Sequence, residues 1–177
     1  MRLFVAAELP RPVAARIAAW TPRDEALRPV AVEALHLTLA FLGERDEDDA
    51  AAAGSVLAGV ARPVRALALG EAVWLPARRP RALAVSVADE DGALHALQAD
   101  LVEALAGAIG FAASRRPFLA HVTAARVRGR AAVAGLASRP LEPVGGPERF
   151  AAAGVALMRS RLDPAGARYE TLERVAL

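Results

Sequence analysis

The chain has 177 residues, 55% of them hydrophobic and 5% aromatic, which suits one compact domain with an aliphatic core and excludes a disordered tail. Cysteine and lysine are both absent, which excludes disulfides, thiolate nucleophiles, cysteine-bound metal, lysine-adenylate ligases and P-loop enzymes. The net charge is +2 but uneven, with 11 arginines against 14 acids in residues 1–100 and 11 against 6 in residues 101–177.

In chain order, the opening run MRLFVAAELPRP reads as a strand, Arg2 to Glu8, ending in a turn and not as a signal peptide. No stretch of about 18 apolar residues lacks charge or proline, so no membrane contact is expected and the expected location is the cytoplasm. A helix follows from about Pro12 to Trp20, then a strand from Leu35 to Leu42. The acidic run Glu44, Asp46, Glu47, Asp48 and Asp49 suits the positive N-terminal end of a helix reaching Val60, as a solvated helix start rather than a metal site. Strands at Val64 to Leu69 and Ala82 to Val87 flank loop material at Pro76 to Pro80. The clearest helix, Asp91 to Ile109, sets Leu94, Leu97, Leu101, Leu105 and Ile109 on one stripe and stops at Gly110. Strands then recur at Ala120 to Val127, Phe150 to Met158 and Tyr169 to Val175, with a loop from Arg139 to Pro147.

Two of the strands carry the same pair of side chains. His36-Leu37-Thr38-Leu39 and His121-Val122-Thr123-Ala124 each hold an imidazole and a hydroxyl two residues apart in an apolar run. With three histidines and four threonines in the chain, composition alone produces two such pairs about once in a thousand sequences. Residues i and i+2 of a strand share a face, so His36 and Thr38 face one way and Leu35, Leu37 and Leu39 the other. By the same alternation His121, Thr123 and Ala125 share a face, backed by Val122 and Ala124. A buried histidine bonded to a neighbouring strand is the bland account of one such site; a matched pair favours a cleft. His95 sits beside the apolar stripe of the long helix, with no hydroxyl two residues on, and reads as surface or boundary.

One pair in each half, within a repeated order of strands and helices, implies a duplicated unit: two lobes facing across a cleft, one histidine from each. The set is a poor metal site, since zinc wants at least three protein ligands, and a poor nucleophilic triad, since no serine stands in a nucleophile elbow. It suits acid and base catalysis on a phosphodiester, with one histidine taking a proton, the other giving one, and the hydroxyls hydrogen-bonding the non-bridging oxygens. Neither ATP nor any other cofactor is required. The acid-free group Arg115, Arg116, Arg126, Arg128 and Arg130 around the second motif fits a phosphate-bearing partner or an ordinary solvated rim equally well.

The paired motifs resemble those of the 2H phosphoesterase superfamily, and the wider sequence is similar to its bacterial RNA 2′,3′-cyclic phosphodiesterase branch, also called 2′-5′ RNA ligase. The likeness rests on Arg2 to Ala6 with Glu8-Leu9-Pro10, Arg28-Pro29 leading into HLTLAFLG at His36 to Gly43, and Arg116-Pro117-Phe118 ahead of His121. It continues through Arg126 and a C-terminal run from Leu157 through Ser160 to Tyr169 and Leu172; Ala124 departs from the leucine usual there. The resemblance implies one α+β domain over residues 1–177, made of two pseudo-symmetric lobes: two mainly antiparallel sheets, helices outside, facing across a central cleft. It implies a substrate that is an RNA end or nucleoside with a 2′,3′-cyclic phosphate, and no obligate protein partner. His36 is then the proton donor and His121 the acceptor, with Thr38 and Thr123 on the phosphate. Arg126, Phe4 and Arg116 are candidate substrate contacts, Phe4 as a base-stacking wall, with core packing the role that composition favours for it. A non-catalytic nucleotide- or RNA-end-binding module is a second reading the residues leave open, and a metal-dependent hydrolase, whose activity a chelator would abolish, is a third.

Overall fold

The computed structural model describes residues 1–129, 141–144, 148–163 and 166–177. Alternating burial shapes the first strand, β1 (Arg2–Glu8): Leu3, Val5 and Ala7 enter the main core, whereas Phe4 and Ala6 are buried on the other face. Helix α1 (Arg11–Trp20) starts with Pro12 where a missing N–H costs nothing. A short strand, β2 (Leu27–Pro29), and a 3-10 turn at Val32–Ala34 lead into β3 (His36–Glu44); the sequence pattern shows neither, because three residues are too few for a period. Helix α2 (Glu47–Val60) begins where the acidic run predicts, with the Asp46 carboxylate accepting the Asp49 N–H at 2.8 Å.

Next come β4 (Leu67–Leu75) and β5 (Ala82–Asp89), a hairpin around the Pro76–Pro80 segment. β4 runs well past the expected Leu69. A register shift between Leu69 and Ala72 lets it continue to Leu75, and a Cβ at Gly70 would lie 2.5 Å from Ser86 Oγ and 3.3 Å from the Ser86 carbonyl oxygen, so a side chain there would force Ser86 to shift. Helix α3 (Ala93–Ile109) buries all five residues of its stripe and stops at Gly110, which adopts φ +61°. Its N-terminus is capped chiefly by Asp89, which accepts N–H bonds from Leu94 and His95, while Asp91 accepts only from Ala93.

β6 (His121–Val127) matches its predicted span, but the single strand expected from Phe150 to Met158 is two. β7 (Arg149–Phe150) pairs with β4, and β8 (Gly154–Asp163) pairs with β1. Between them Ala152 N–H bonds the Val64 carbonyl and Ala153 N–H the Glu8 carbonyl, which carries the chain from one edge region to the other. β9 (Gly166–Ala176) closes a hairpin on β8. Arg130 and most of the Arg139 to Pro147 loop lie outside the described residues.

All described strand pairs are antiparallel, in the order β7-β4-β5-β6-β3-β1-β8-β9 with β2 on β6. The α+β class with helices outside is thus realised. The two sets of strands expected as separate sheets are joined edge to edge at one Cα pair, Leu37 with Val122. Helix α2 packs on β8, β9 and α3, and α3 packs on β3 and β5, so the main core lies between one sheet face and these helices. The face away from them carries the two motifs. Among the described residues no helix is long and apolar enough to cross a membrane.

Candidate active site

The join between the two strand sets is what assembles the site. Leu37 and Val122, both fully buried, meet across antiparallel strands, and one step either way sets His36 beside Thr123 and Thr38 beside His121. The four motif side chains therefore share the face opposite the core, two from each half of the chain. All four are half-buried, as groups at a cleft surface are.

Both rings are pinned in the same way. His36 Nδ1 lies 2.8 Å from the Ala34 carbonyl and His121 Nδ1 lies 2.7 Å from the Leu119 carbonyl, in each case the residue two positions back. A carbonyl only accepts, so Nδ1 carries the hydrogen in both rings and each neutral imidazole keeps its lone pair on Nε2. One ring nitrogen fixes orientation; the other makes no hydrogen bond among the described residues.

The surroundings differ. The His36 ring centroid stands 4.9 Å from Phe4 and 5.1 Å from Tyr169, the latter edge-on at 89°, and Phe4 and Tyr169 are themselves 5.0 Å apart. Burial in this cage lowers the His36 pKa; the Ala34 carbonyl works against it, and the charges of Arg126 and His121 push the same way as burial. That coupling puts Arg126 and both imidazoles within one electrostatic neighbourhood. A cavity of about 420 Å³ opens beside His36, lined in part by Glu8, Arg11, Met158, Tyr169 and Arg174. Within it Arg174 Nε donates to Glu8 Oε2 at 2.6 Å.

Strict alternation along β6 fails after Thr123, and the failure shapes the site. The β5 pairing shifts register between Leu83 and Ala84, so Ala84 faces Thr123 and Leu83 faces Ala125, leaving Ala124 as the extra residue. Ala125, expected beside His121 and Thr123, is instead fully buried with Leu83, Trp74 and Leu27. The bulge transfers that place to Arg126, which is exposed and pairs with Ala82 on one side and Arg28 on the other.

Of the other sequence-derived residues, Phe4 lies against His36 but is only 3% exposed, so it forms the back wall of the ring rather than an open stacking surface. Arg116 lies in the exposed segment before β6; its N–H meets Ser114 Oγ, and its guanidinium makes no hydrogen bond or ion pair among the described residues. Arg128 is turned away, its Nε donating to the Leu27 carbonyl at 3.1 Å. His95 is on α3, across the core from the motifs, half exposed and bonded to Asp89 at 2.6 Å. Among the described residues no three of His, Cys, Asp or Glu cluster to hold a metal. Tyr169 and Arg28 are the neighbours that motif reading undervalues; Tyr169 is the chain's single tyrosine, a signal available in advance.

Two carbonyl-pinned imidazoles, each with a hydroxyl two residues on and an arginine at the edge, define a phosphoesterase of the two-histidine type. The chain belongs to the 2′-5′ RNA ligase superfamily, whose sequence model matches residues 9–164. It is 34% identical over 187 aligned positions to an RNA 2′,3′-cyclic phosphodiesterase of Thermus thermophilus, covering 100% of this chain and 90% of that one. Among solved structures it is similar to TT0787 of Thermus thermophilus, with a TM-score of 0.82, 30% identity and coverage of 100% and 98%. It is also similar to Escherichia coli LigT complexed with 3′-AMP, with a TM-score of 0.75, 32% identity and coverage of 99% and 97%.

Proposed function

We propose that this protein is an RNA 2′,3′-cyclic phosphodiesterase that opens a terminal 2′,3′-cyclic phosphate to a 2′-phosphomonoester without metal or ATP. The observation that carries the reading is the matched pinning of both histidines through Nδ1, which leaves two Nε2 atoms on one face for two proton transfers. His121 takes a proton from water as its oxygen bonds to phosphorus; the P–O3′ bond breaks, and His36 Nε2–H gives its proton to the departing O3′. Thr38 and Thr123 donate hydrogen bonds to the non-bridging oxygens, where charge builds in the transition state. An RNA 5′-hydroxyl in place of water gives the 2′-5′ ligation as the same chemistry. A module that merely binds RNA ends would need arginines but not two pinned rings.

The lowered His36 pKa bears on this assignment, because an acid must be protonated before it acts. A phosphodiester anion between the rings offsets the Arg126 charge and favours the imidazolium, so substrate itself charges the acid. The name of the Thermus relative and the 3′-AMP bound to LigT agree with this substrate class. The test is incubation of the pure protein with nucleoside 2′,3′-cyclic phosphates in EDTA, following products by phosphorus NMR. A 2′-phosphomonoester is expected. Activity lost to the chelator and restored by a divalent ion overturns the metal-free mechanism.

A further inference from the structure

Glu8 stands directly opposite His36, its Cα partner across β1 and β3. Opposite residues of an antiparallel pair share a face and hold their Cβ atoms about 4.5–5.5 Å apart, near enough for a carboxylate to bond an imidazolium. The carboxylate leans the other way. Gly154 is the partner of Glu8 on β8, on the side away from β3. Glu8 Oε2 lies 2.6 Å from the point where a Cβ on Gly154 would stand, and there it accepts from Arg174 Nε at 2.6 Å. The glycine leaves open the gap through which the carboxylate reaches toward β9.

Register explains why an arginine meets it. Tyr169 and Thr171 line the cavity beside His36, and strict alternation along β9 would bring Glu173 next. The pairing with β8 instead shifts between Leu157 and Met158. Glu173 therefore turns toward helix α2, its Cβ 3.4 Å from where a Cβ on Gly54 would stand, and Arg174 turns to the cavity. The strand sets a cation, and not a second carboxylate, beside Glu8. The other charged or titratable groups around His36 are His121 and Arg126 on β6, Tyr169 on β9, and Arg11 and Glu33 on the cavity wall formed by α1 and the 3-10 turn.

We propose that Arg174 is a positioning residue for the reaction: it holds the Glu8 carboxylate over Gly154 and off the His36 ring, so that the anion which charges this imidazole is the substrate phosphate and not the protein's own side chain. Released, Glu8 turns to its opposite neighbour and binds the imidazolium in the free protein, and a proton held by a carboxylate is harder to give to a departing oxygen. The consequence for catalysis rests on the phosphodiesterase reading above; the placement of the charge is read without turnover.

The test is an NMR titration of the three histidine rings in the free protein, with the His36 signal identified by its loss in His36→Gln. The Glu8–Arg174 pair is partly exposed, and such pairs add little stability, so variants at either position should stay folded. Arg174→Met should raise the His36 pKa by about one pH unit, the low end of the effect of a carboxylate within roughly 4–6 Å. Arg174→Lys keeps the cation and should keep the wild-type titration. Glu8→Gln should lower the His36 pKa, because Arg174 then faces the ring unpaired, and the double variant should return near wild type. On a cyclic mononucleotide Arg174→Met should lower kcat about three- to tenfold, with most of the loss restored by adding Glu8→Gln. An unchanged His36 titration in both single variants, or an activity loss that Glu8→Gln does not restore, overturns the proposal and leaves the pair a structural tie between β1 and β9. Inactive wild type with the expected titrations removes the phosphodiesterase reading alone; active wild type with unmoved titrations removes the role of Arg174 alone.

Discussion

Replacing each motif histidine by alanine separates chemistry from architecture, because the two rings contribute very differently to the fold. His121→Ala removes one side chain to backbone hydrogen bond at a half-buried position, worth about 0.5–1.5 kcal/mol. His36→Ala removes the equivalent bond and also the contacts with Phe4 and Tyr169, each aromatic pair worth about 0.5–1.5 kcal/mol, for a total of roughly 2–4 kcal/mol. A chain of this length loses about 2–4 °C of Tm per kcal/mol, so His36→Ala should melt roughly 5–15 °C low and His121→Ala within about 6 °C of wild type. Both stay folded if total stability lies in the usual range of about 5–15 kcal/mol. Activity should behave differently: each variant should lose at least about a hundredfold in kcat/KM, the usual scale for one positioned proton carrier. The double variant should lose less than the product of the two, since the groups act as a unit. Thermal melts with hydrolysis of a cyclic mononucleotide measure both quantities. Equal Tm losses would refute the aromatic cage around His36, and hydrolysis within tenfold of wild type in either variant would refute the acid and base pair.

Folded His36 resists protonation through burial first and then through Arg126 and His121, so below about pH 6.5 the unfolded chain binds more protons at this position than the native one. Its contribution to stability is full above that pH and declines as pH falls toward the lowered native value, at no more than about 1.4 kcal/mol per pH unit. Tm followed from pH 7.5 to 5.5 should fall less steeply in His36→Gln than in wild type; identical slopes would show that the ring is not desolvated. At Asp89, burial alone would raise the carboxyl pKa, but His95 and the helical N–H of Leu94 outweigh it and hold it below the ordinary value. Asp89→Ala should therefore cost about 1–2 kcal/mol as a lost helix cap, lowering Tm by roughly 2–8 °C with kcat/KM unchanged within twofold. Gly154→Ala would set a Cβ 2.9 Å from the Val175 carbonyl oxygen and 2.6 Å from Glu8 Oε2, an overpacking cost of about 1–3 kcal/mol. A melt within 1 °C of wild type would show that β8 and β9 yield there more readily than a paired backbone should.

Periodicity carried the long elements. The α3 stripe, the capped start of α2 and the alternation of β1 each depend on neighbours in sequence, and each stands where the pattern places it. The motif residues were legible for the same reason, because their shared face follows from a two-residue spacing. What the sequence could not disclose are the long-range partners. β2 has no pattern of its own and exists because β6 accepts it; the break between β7 and β8 exists because Val64 and Glu8, distant in sequence, each claim a backbone N–H.

The bulge at Ala124 is the most consequential of these hidden features. Along β6 the spacing of two binds His121 to Thr123, and extended one step further it nominates Ala125, a residue with no chemistry. The register is set by β5: once Ala84 faces Thr123 and Leu83 faces Ala125, the strand has one residue too many, and everything after it changes face. Ala125 goes inward to Leu27 and Leu83; Arg126 comes out beside the imidazoles and opposite Arg28. A bulge of this kind lets one short strand present an imidazole, a hydroxyl and a cation on the same surface while still contributing Val122, Ala124 and Ala125 to buried clusters. Without it, a guanidinium at position 126 would point toward Leu27 and Trp74, where burying an unpaired charge costs several kcal/mol.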